Sequence, residues 1–256
     1  MATPNFLSAW GSGKVGTMRT ACLLAAILAL SAVVPAGQPF VQWAEPPGPA
    51  SAEDTRLLRE ARAALERGRS VSEVLVDPAF MPIHPRTEFR KLIETHAAPG
   101  TLTIAGPQEP GTRLSLELVF LDEGGKPIPD AVVYAYHTSA KGWYAAEGAH
   151  VRANSGDINH ARLFGYGKTD GQGKLVLRTI RPSGYPRSEL PAHVHLGLTV
   201  QGRGVPVGEV RFDDDPRLTP EIRTQSLQEK DAIVRPEVQP DGSQRCRAEI
   251  RVRLRR

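Results

Sequence analysis

The sequence predicts an all-β sandwich preceded by a small helical region, and three observations carry that reading. The chain holds 24 Gly and 22 Pro, together 46 of 256 positions. That is about 18% against a usual ~12%, so turns are frequent and a helix bundle or coiled coil is excluded. From Thr101 onward, short alternating or wholly apolar runs are separated by turn residues, at the spacing of strands in a two-layer β-domain. No helix-length stretch alternates with those runs, which argues against a parallel α/β sheet.

The first element is an apolar run from Ala21 to Val34, preceded by Lys14 and Arg19 and followed by Val34-Pro35-Ala36. At ~14 residues it is shorter than the ~20 that span a bilayer, and it carries the small residues a signal peptidase reads. Residues 1–36 are therefore expected to be an export signal cut after Ala36, with an uncleaved anchor as the alternative. Either way the body is expected outside the cytoplasm, periplasmic or secreted. Loss of Lys14 and Arg19 lowers the formal charge from +4 to +2, so the basic balance says little about partners. No Lys/Arg cluster is interleaved with aromatics, and Arg245, Arg247, Arg251 and Arg253 alternate with apolar residues as a strand with one wet face does. Nucleic-acid binding is set aside on that ground. Cys22 falls in the signal and leaves Cys246 alone, so no internal disulfide is expected and stability must come from the core or from metal.

Residues 37–50 are Pro-rich and read as an extended linker. Residues 51–98 read as helical. Ser51 and Asp54 have capping-box spacing, Leu57, Leu58, Ala61, Ala64 and Leu65 recur at helical period, and Gly68 can end that helix, predicted over Ala52–Arg67. A second helical segment is predicted over Ser72–Val76, stopping at Asp77-Pro78, and a third over Arg86–His96, with His96 at the edge of its apolar stripe. Residues 99–256 read as the sandwich. Its predicted strands are Leu102–Ala105, Thr112–Asp122, Ala131–His137, Lys174–Ile180, His193–Val200, Gly208–Phe212 and Arg245–Leu254.

The most informative stretch is Pro191-Ala192-His193-Val194-His195. Two residues apart on a strand, both imidazoles leave the same face and lie close enough to share one metal ion. Two histidines on a solvent-facing strand are the plain alternative. Upstream lies a rigid turn, Arg181-Pro182-Ser183-Gly184-Tyr185-Pro186, which fixes a tyrosine, and a further tyrosine, Tyr144, follows Lys141-Gly142-Trp143.

These pieces, taken in order, resemble a known family. Gly125-Lys126-Pro127-Ile128-Pro129-Asp130-Ala131, Gly142-Trp143-Tyr144, Lys168-Thr169-Asp170-Gly171-Gln172-Gly173, Leu177-Arg178-Thr179-Ile180-Arg181-Pro182, Gly184-Tyr185-Pro186, Pro191-Ala192-His193-Val194-His195 and Val210-Arg211-Phe212-Asp213-Asp214-Asp215-Pro216 together are similar to the intradiol ring-cleaving dioxygenases, the family of protocatechuate 3,4-dioxygenase and catechol 1,2-dioxygenase. The resemblance covers roughly Gly111 to Pro216. It implies a prealbumin-like sandwich and a mononuclear non-haem Fe(III) centre with Tyr144, Tyr185, His193 and His195 as its protein ligands. It also implies a catecholic substrate cut by O2 between its two hydroxyl-bearing carbons, with the phenolate of Tyr185 accepting a substrate proton. Such a donor set is chemically coherent, because two phenolates offset the charge of a hard trication and two neutral imidazoles complete the shell.

The chain departs from the family at two positions. The arginine expected three residues before the first ligand histidine is Leu190 here, preceded by Glu189, and Arg187 is the nearby cation that could reach the substrate instead. A glutamine of the downstream strand corresponds to Glu209. Two other readings stay open: a secreted prealbumin-like or carboxypeptidase-regulatory-like module that binds a protein or glycan without catalysis, and a sandwich that holds zinc or copper without ring cleavage. Self-association, ring substituents and the role of the helical region are left open by the sequence.

Overall fold

The computed structural model describes residues 43–44, 48–148, 150–151 and 161–254. The apolar run Ala21–Val34 and its flanks, where the export signal is expected, lie outside the described residues, as do residues 45–47 of the Pro-rich stretch. Strand β1, Trp43–Ala44, pairs in parallel with β5, His150–Val151, so part of the expected linker is drawn into a short ladder. The stretch ends against the helices, where Arg86 donates to the Gly48 carbonyl.

Helix α1 spans Ala52–Glu66 and begins as its sequence dictates: Ser51 Oγ accepts the Asp54 N–H at 3.0 Å and Asp54 accepts the Ser51 N–H at 2.8 Å. It ends on Gly68 (φ 92°), where the Gly68 N–H reaches Leu65 O and the Arg69 N–H reaches Ala64 O, the paired bonds of a Schellman stop. Helix α2, Val71–Leu75, starts one residue earlier than predicted because Ser70 and Glu73 form a second capping box. A 3-10 turn over Pro78–Ile83 leads into α3, Thr87–Thr95. His96 caps α3 with its Nδ1 on Leu92 O, the helix-edge role expected of it.

Apart from the β1–β5 ladder, the described strands form two sheets. The first contains β2 (Gly100–Thr103), β3 (Arg113–Asp122), β7 (Lys174–Ile180), β12 (Glu237–Val238) and β13 (Gln244–Val252), ordered β12-β13-β3-β7-β2. The second contains β4 (Val132–His137), β6 (Leu163–Lys168), β8 (His193–Val200), β10 (Val210–Phe212) and β11 (Ala232–Val234), ordered β11-β10-β8-β4-β6, with β9 (Arg203–Val205) also on β8. Leu116, Leu118 and Phe120 of β3, Leu175 and Leu177 of β7, and Val133, Ala135, Val194, Val210 and Phe212 from the second sheet share one buried core. The expected sandwich is present. The C-terminal arginines alternate as predicted, with Arg245, Arg247 and Arg251 exposed and Cys246, Ala248 and Ile250 buried.

The outer face of the second sheet is also covered. It carries Tyr134, Tyr136, Phe164 and Tyr166, paired across β4 and β6, with Tyr134 stacked on both Tyr136 and Tyr166. Helix α3 closes over this layer. The Arg90 guanidinium sits 3.8 Å from the Phe164 ring centroid and donates to Tyr134 Oη at 2.9 Å, while Phe89 meets Phe164 edge-on.

Strands β1, β5, β6, β9, β11 and β12 and a helix over Pro220–Gln228 are not among the predicted elements, and β2 lies at Gly100–Thr103 rather than Leu102–Ala105. Strand β6 is additional, and its Gly165 and Gly167 explain why no alternation marks it. A Cβ on Gly165 would stand 2.7 Å from Ile104 and one on Gly167 2.8 Å from Leu175, so the strand packs where side chains do not fit. Helix α4, Pro220–Gln228, begins on Thr219 with Pro220 at its first position and buries only Ser226, too little apolar surface to leave a periodic signal. The strand predicted from Gly208 begins at Val210 because Gly208 lies against Lys230, whose carbonyl would be 2.4 Å from an added Cβ.

Two histidines are sealed in this architecture. His84 stacks on Phe89, and His137 bonds Thr138 O and Thr179 Oγ1 at 2.7 Å each. Burial pushes both imidazoles down to about 4. Each takes up a proton on unfolding between pH 4 and ~6.5, so stability is full above pH ~6.5 and declines as the pH falls towards 4. Thermal unfolding followed from pH 7 to pH 5 is expected to show a falling midpoint, and His137→Gln, compared with the parent over the same range, a shallower fall.

Candidate metal centre

Strand β8 builds half of the site. His193 and His195 leave the same face, and their Nε2 atoms lie 3.0 Å apart. Each ring is fixed from behind by its other nitrogen. His193 Nδ1–H donates to the Pro191 carbonyl at 2.8 Å, and His195 Nδ1–H donates to the Glu209 carboxylate at 2.6 Å. These bonds leave the Nε2 atoms as the lone-pair-bearing ends. Burial holds His193 below the usual histidine value, which keeps it neutral at pH 7. His195 is also stacked on Tyr136, 4.4 Å between centroids and 10° from parallel, so the aromatic layer under α3 sets its tilt.

Two loops supply the other half. Tyr144 follows β4 on a turn in which Ser139 N–H bonds Trp143 O and Gly142 N–H bonds Ser139 O. Tyr185 follows β7. The loops are stitched together by Thr138 Oγ1, which donates to Ser183 O at 2.6 Å. Gly142, at φ 76°, lies so close to the second loop that a Cβ would stand 2.3 Å from Gly184 O. Gly184 is itself wedged against Arg217 and Leu190, and Arg217 donates to the Tyr185 carbonyl. Asp215, from the acidic turn after β10, accepts the Ala192 N–H at 2.8 Å and so anchors the start of β8.

The four side chains converge. Tyr144 Oη lies 2.5 Å from Tyr185 Oη and 2.7 Å from His195 Nε2, and Tyr185 Oη lies 3.1 Å from His193 Nε2 and 3.2 Å from His195 Nε2. With both Nδ1 atoms carrying the imidazole protons, only the two phenols bring hydrogens to these contacts and to the 3.0 Å pair of ring nitrogens. Two hydrogens cannot serve five contacts, and the two nitrogen lone pairs oppose each other across theirs. A cation bonded to all four donors removes that conflict. Bonds of ~2.1 Å place adjacent ligand atoms roughly 3 Å apart, which matches the observed separations. The donor set fits a hard, highly charged metal.

Glu209 belongs to the surrounding shell. Its carboxylate groups with both histidines within 4.8 Å, but it takes the Nδ1–H of His195 on the far side of the ring from the phenols. Burial alone would raise its pKa, but the hydrogen bond from His195 and the nearby Arg211 cation help to outweigh that and hold it below the usual carboxylate value. Arg187 is exposed, with left-handed backbone at φ 59°, two residues beyond Tyr185. Leu190 is also at the surface, 44% exposed. Sequence reading did not single out Asp231, which binds Arg211 Nε–H at 2.6 Å. It lies after α4 with no motif to mark it.

A family model described as Dioxygenase matches residues 88–254. Catechol 1,2-dioxygenase of Acinetobacter baylyi is 26% identical over 127 residues, covering 43% of this chain and 39% of that protein, so the matched region spans well under half the length of that relative. Among solved structures, the dioxygenase domain of a dioxygenase carbohydrate-binding protein fusion from Streptomyces sp. SirexAA-E is 18% identical with TM-score 0.46, covering 62% of this chain and 90% of that one. An intradiol ring-cleavage dioxygenase from Tetranychus urticae is 19% identical with TM-score 0.46, covering 59% and 85%.

The contact between Gly142 and Gly184 makes a specific demand. Gly142→Ala forces the two tyrosine loops apart and adds left-handed strain of about 1–3 kcal/mol. Its expected outcome is a lower unfolding midpoint together with weakened metal uptake, read by calorimetry and metal titration, whereas Gly171→Ala, with open space around it, is expected to leave both near those of the parent.

Proposed function

The chain belongs to the intradiol ring-cleaving dioxygenase family, and from that premise we propose that it holds one ferric ion on Tyr144, Tyr185, His193 and His195 and opens a catecholic ring between its two hydroxyl-bearing carbons with O2. The observation that carries the proposal is the meeting of two phenol oxygens and two imidazole nitrogens at 2.5–3.2 Å. Bound there, ferric iron would supply Lewis acidity and a template for both catechol oxygens, the product being a muconate-type diacid that keeps both atoms of O2.

The side chains divide the work according to their burial. Tyr144 is 2% exposed and is the fixed phenolate. Tyr185 is half-buried on its loop, so its phenolate is the one that would take up a catechol proton. Free phenols ionise near ~10, and the charge of the cation is what allows both to be anionic at neutral pH. His193 and His195, pinned through Nδ1, keep their Nε2 atoms in place. With Leu190 and Glu189 where the family has its arginine region, charge on a bound anion falls to Arg187, on the loop that carries Tyr185. The apolar run Ala21–Val34 supports action outside the cytoplasm.

Purified protein loaded with ferric iron is expected to show a purple-red tyrosinate charge-transfer band that shifts when catechol is added, and to consume O2 with at least one member of a catechol panel. Tyr185→Phe and His195→Ala should each lower iron content or bleach the band, and His96→Ala should change neither. A Tyr185→Phe protein with unaltered spectrum and iron content would falsify the ligand assignment. For Arg187→Ala, the expected outcome is a raised KM at unchanged iron content.

A further inference from the structure

We infer that Glu209 is a positioning residue that sets the electronic character of the centre by placing a full negative charge behind one ligand histidine, an inference that rests on the ferric-site reading above. The two imidazoles are held by unequal acceptors. His193 gives its Nδ1–H to a neutral carbonyl, Pro191 O, at 2.8 Å, whereas His195 gives its own to the Glu209 carboxylate at 2.6 Å. The register of β10 on β8 pairs Arg211 with His193 and Val210 with Val194, and one step further sets Glu209 opposite His195. The carboxylate therefore comes from the residue that immediately precedes the neighbouring strand, its backbone tied on both sides to Asp231 and Ala232.

Glu209 is itself held. Its second oxygen accepts from Arg211 Nη2 at 3.0 Å, its backbone N–H donates to Asp231 at 2.8 Å, and Asp231 accepts from Arg211 Nε at 2.6 Å. The Arg211 and Asp231 side chains are 8% and 3% exposed. A chain of alternating charge, His195–Glu209–Arg211–Asp231, thus runs from the ligand into the seam between β10 and β11. A buried pair of this kind fixes geometry more than it adds stability.

Where the family resemblance sets a neutral glutamine, this chain sets an anion. A carboxylate that takes the outer N–H of a ligand imidazole increases the basicity of its inner nitrogen. Negative charge passed to the centre in this way favours the ferric over the ferrous state, raises the energy of phenolate-to-iron charge transfer and tightens metal binding.

Glu209→Gln keeps an oxygen acceptor for His195 and removes the charge. In the iron-loaded full chain it is expected to move the charge-transfer band to longer wavelength, shift the reduction potential to more positive values and weaken iron affinity by about 10–100-fold, with Glu209→Asp lying nearer the parent in all three. Circular dichroism and thermal unfolding of the metal-free variants check the fold. If the parent shows the tyrosinate band and Glu209→Gln reproduces its band, potential and affinity, Glu209 is a neutral scaffold and the inference fails while the ferric reading stands. A parent that takes up no ferric iron overturns both. Should the Gln variant not fold, the gallium(III)-loaded parent decides by proton NMR: a His195 Nδ1–H resonance well downfield of that of His193 supports the inference, and matching positions overturn it.

Discussion

Two imidazole nitrogens bearing lone pairs, held 3.0 Å apart on one strand, are the constraint around which this molecule is arranged. Left alone, those lone pairs repel, and a strand can bring them so close only if both rings are held from behind and a positive partner lies in front. Pro191 O and Glu209 do the holding. The phenols of Tyr144 and Tyr185 complete a donor cage whose charge, once ionised, suits a trivalent cation. The site is pre-shaped by covalent period and backbone hydrogen bonds rather than assembled by flexible side chains.

The sandwich serves that arrangement by giving its two sheets different tasks. The first, with β3 and β13 at its middle, contributes the apolar floor of Leu116, Leu118, Phe120 and Ala248. The second turns one face to that floor and the other to an aromatic layer under α3, at whose end His195 stacks on Tyr136. The helices thus act as a lid for the tyrosine layer, and their cation, Arg90, is spent inside it on Phe164, Tyr134 and the Ala161 carbonyl. The donor cluster sits at the rim, where strand ends and loops bring Tyr144 and Tyr185 to the histidines of β8.

Much of this could be read from the residues. Period two at His193 and His195, the capping box at Ser51 and Asp54, and the alternating arginines of β13 are local signals with one structural solution each. The tyrosines could be paired with each other and with the histidines only through the order of motifs, since no local rule links residues 41 and 51 positions apart. What stayed hidden lacked a local signature. Strand β6 has glycines where its neighbours leave no space, α4 is scarcely amphipathic, and Asp231 acts through a buried arginine. The Gly142–Gly184 contact was equally illegible, because either glycine alone reads as an ordinary turn.

Strand β13 lies between β3 and β12, parallel to β3 along its whole length, with Gln244 against Leu114 and Val252 against Asp122. Residues some 130 positions apart must meet before the first sheet has a centre. Strands β2, β7 and β3 can pair without residues 244–252, so one edge of β3 stays open until this distant segment docks on it. The sheet that backs the histidine strand thus owes its completeness to a pairing between sequence-distant segments rather than to a local hairpin.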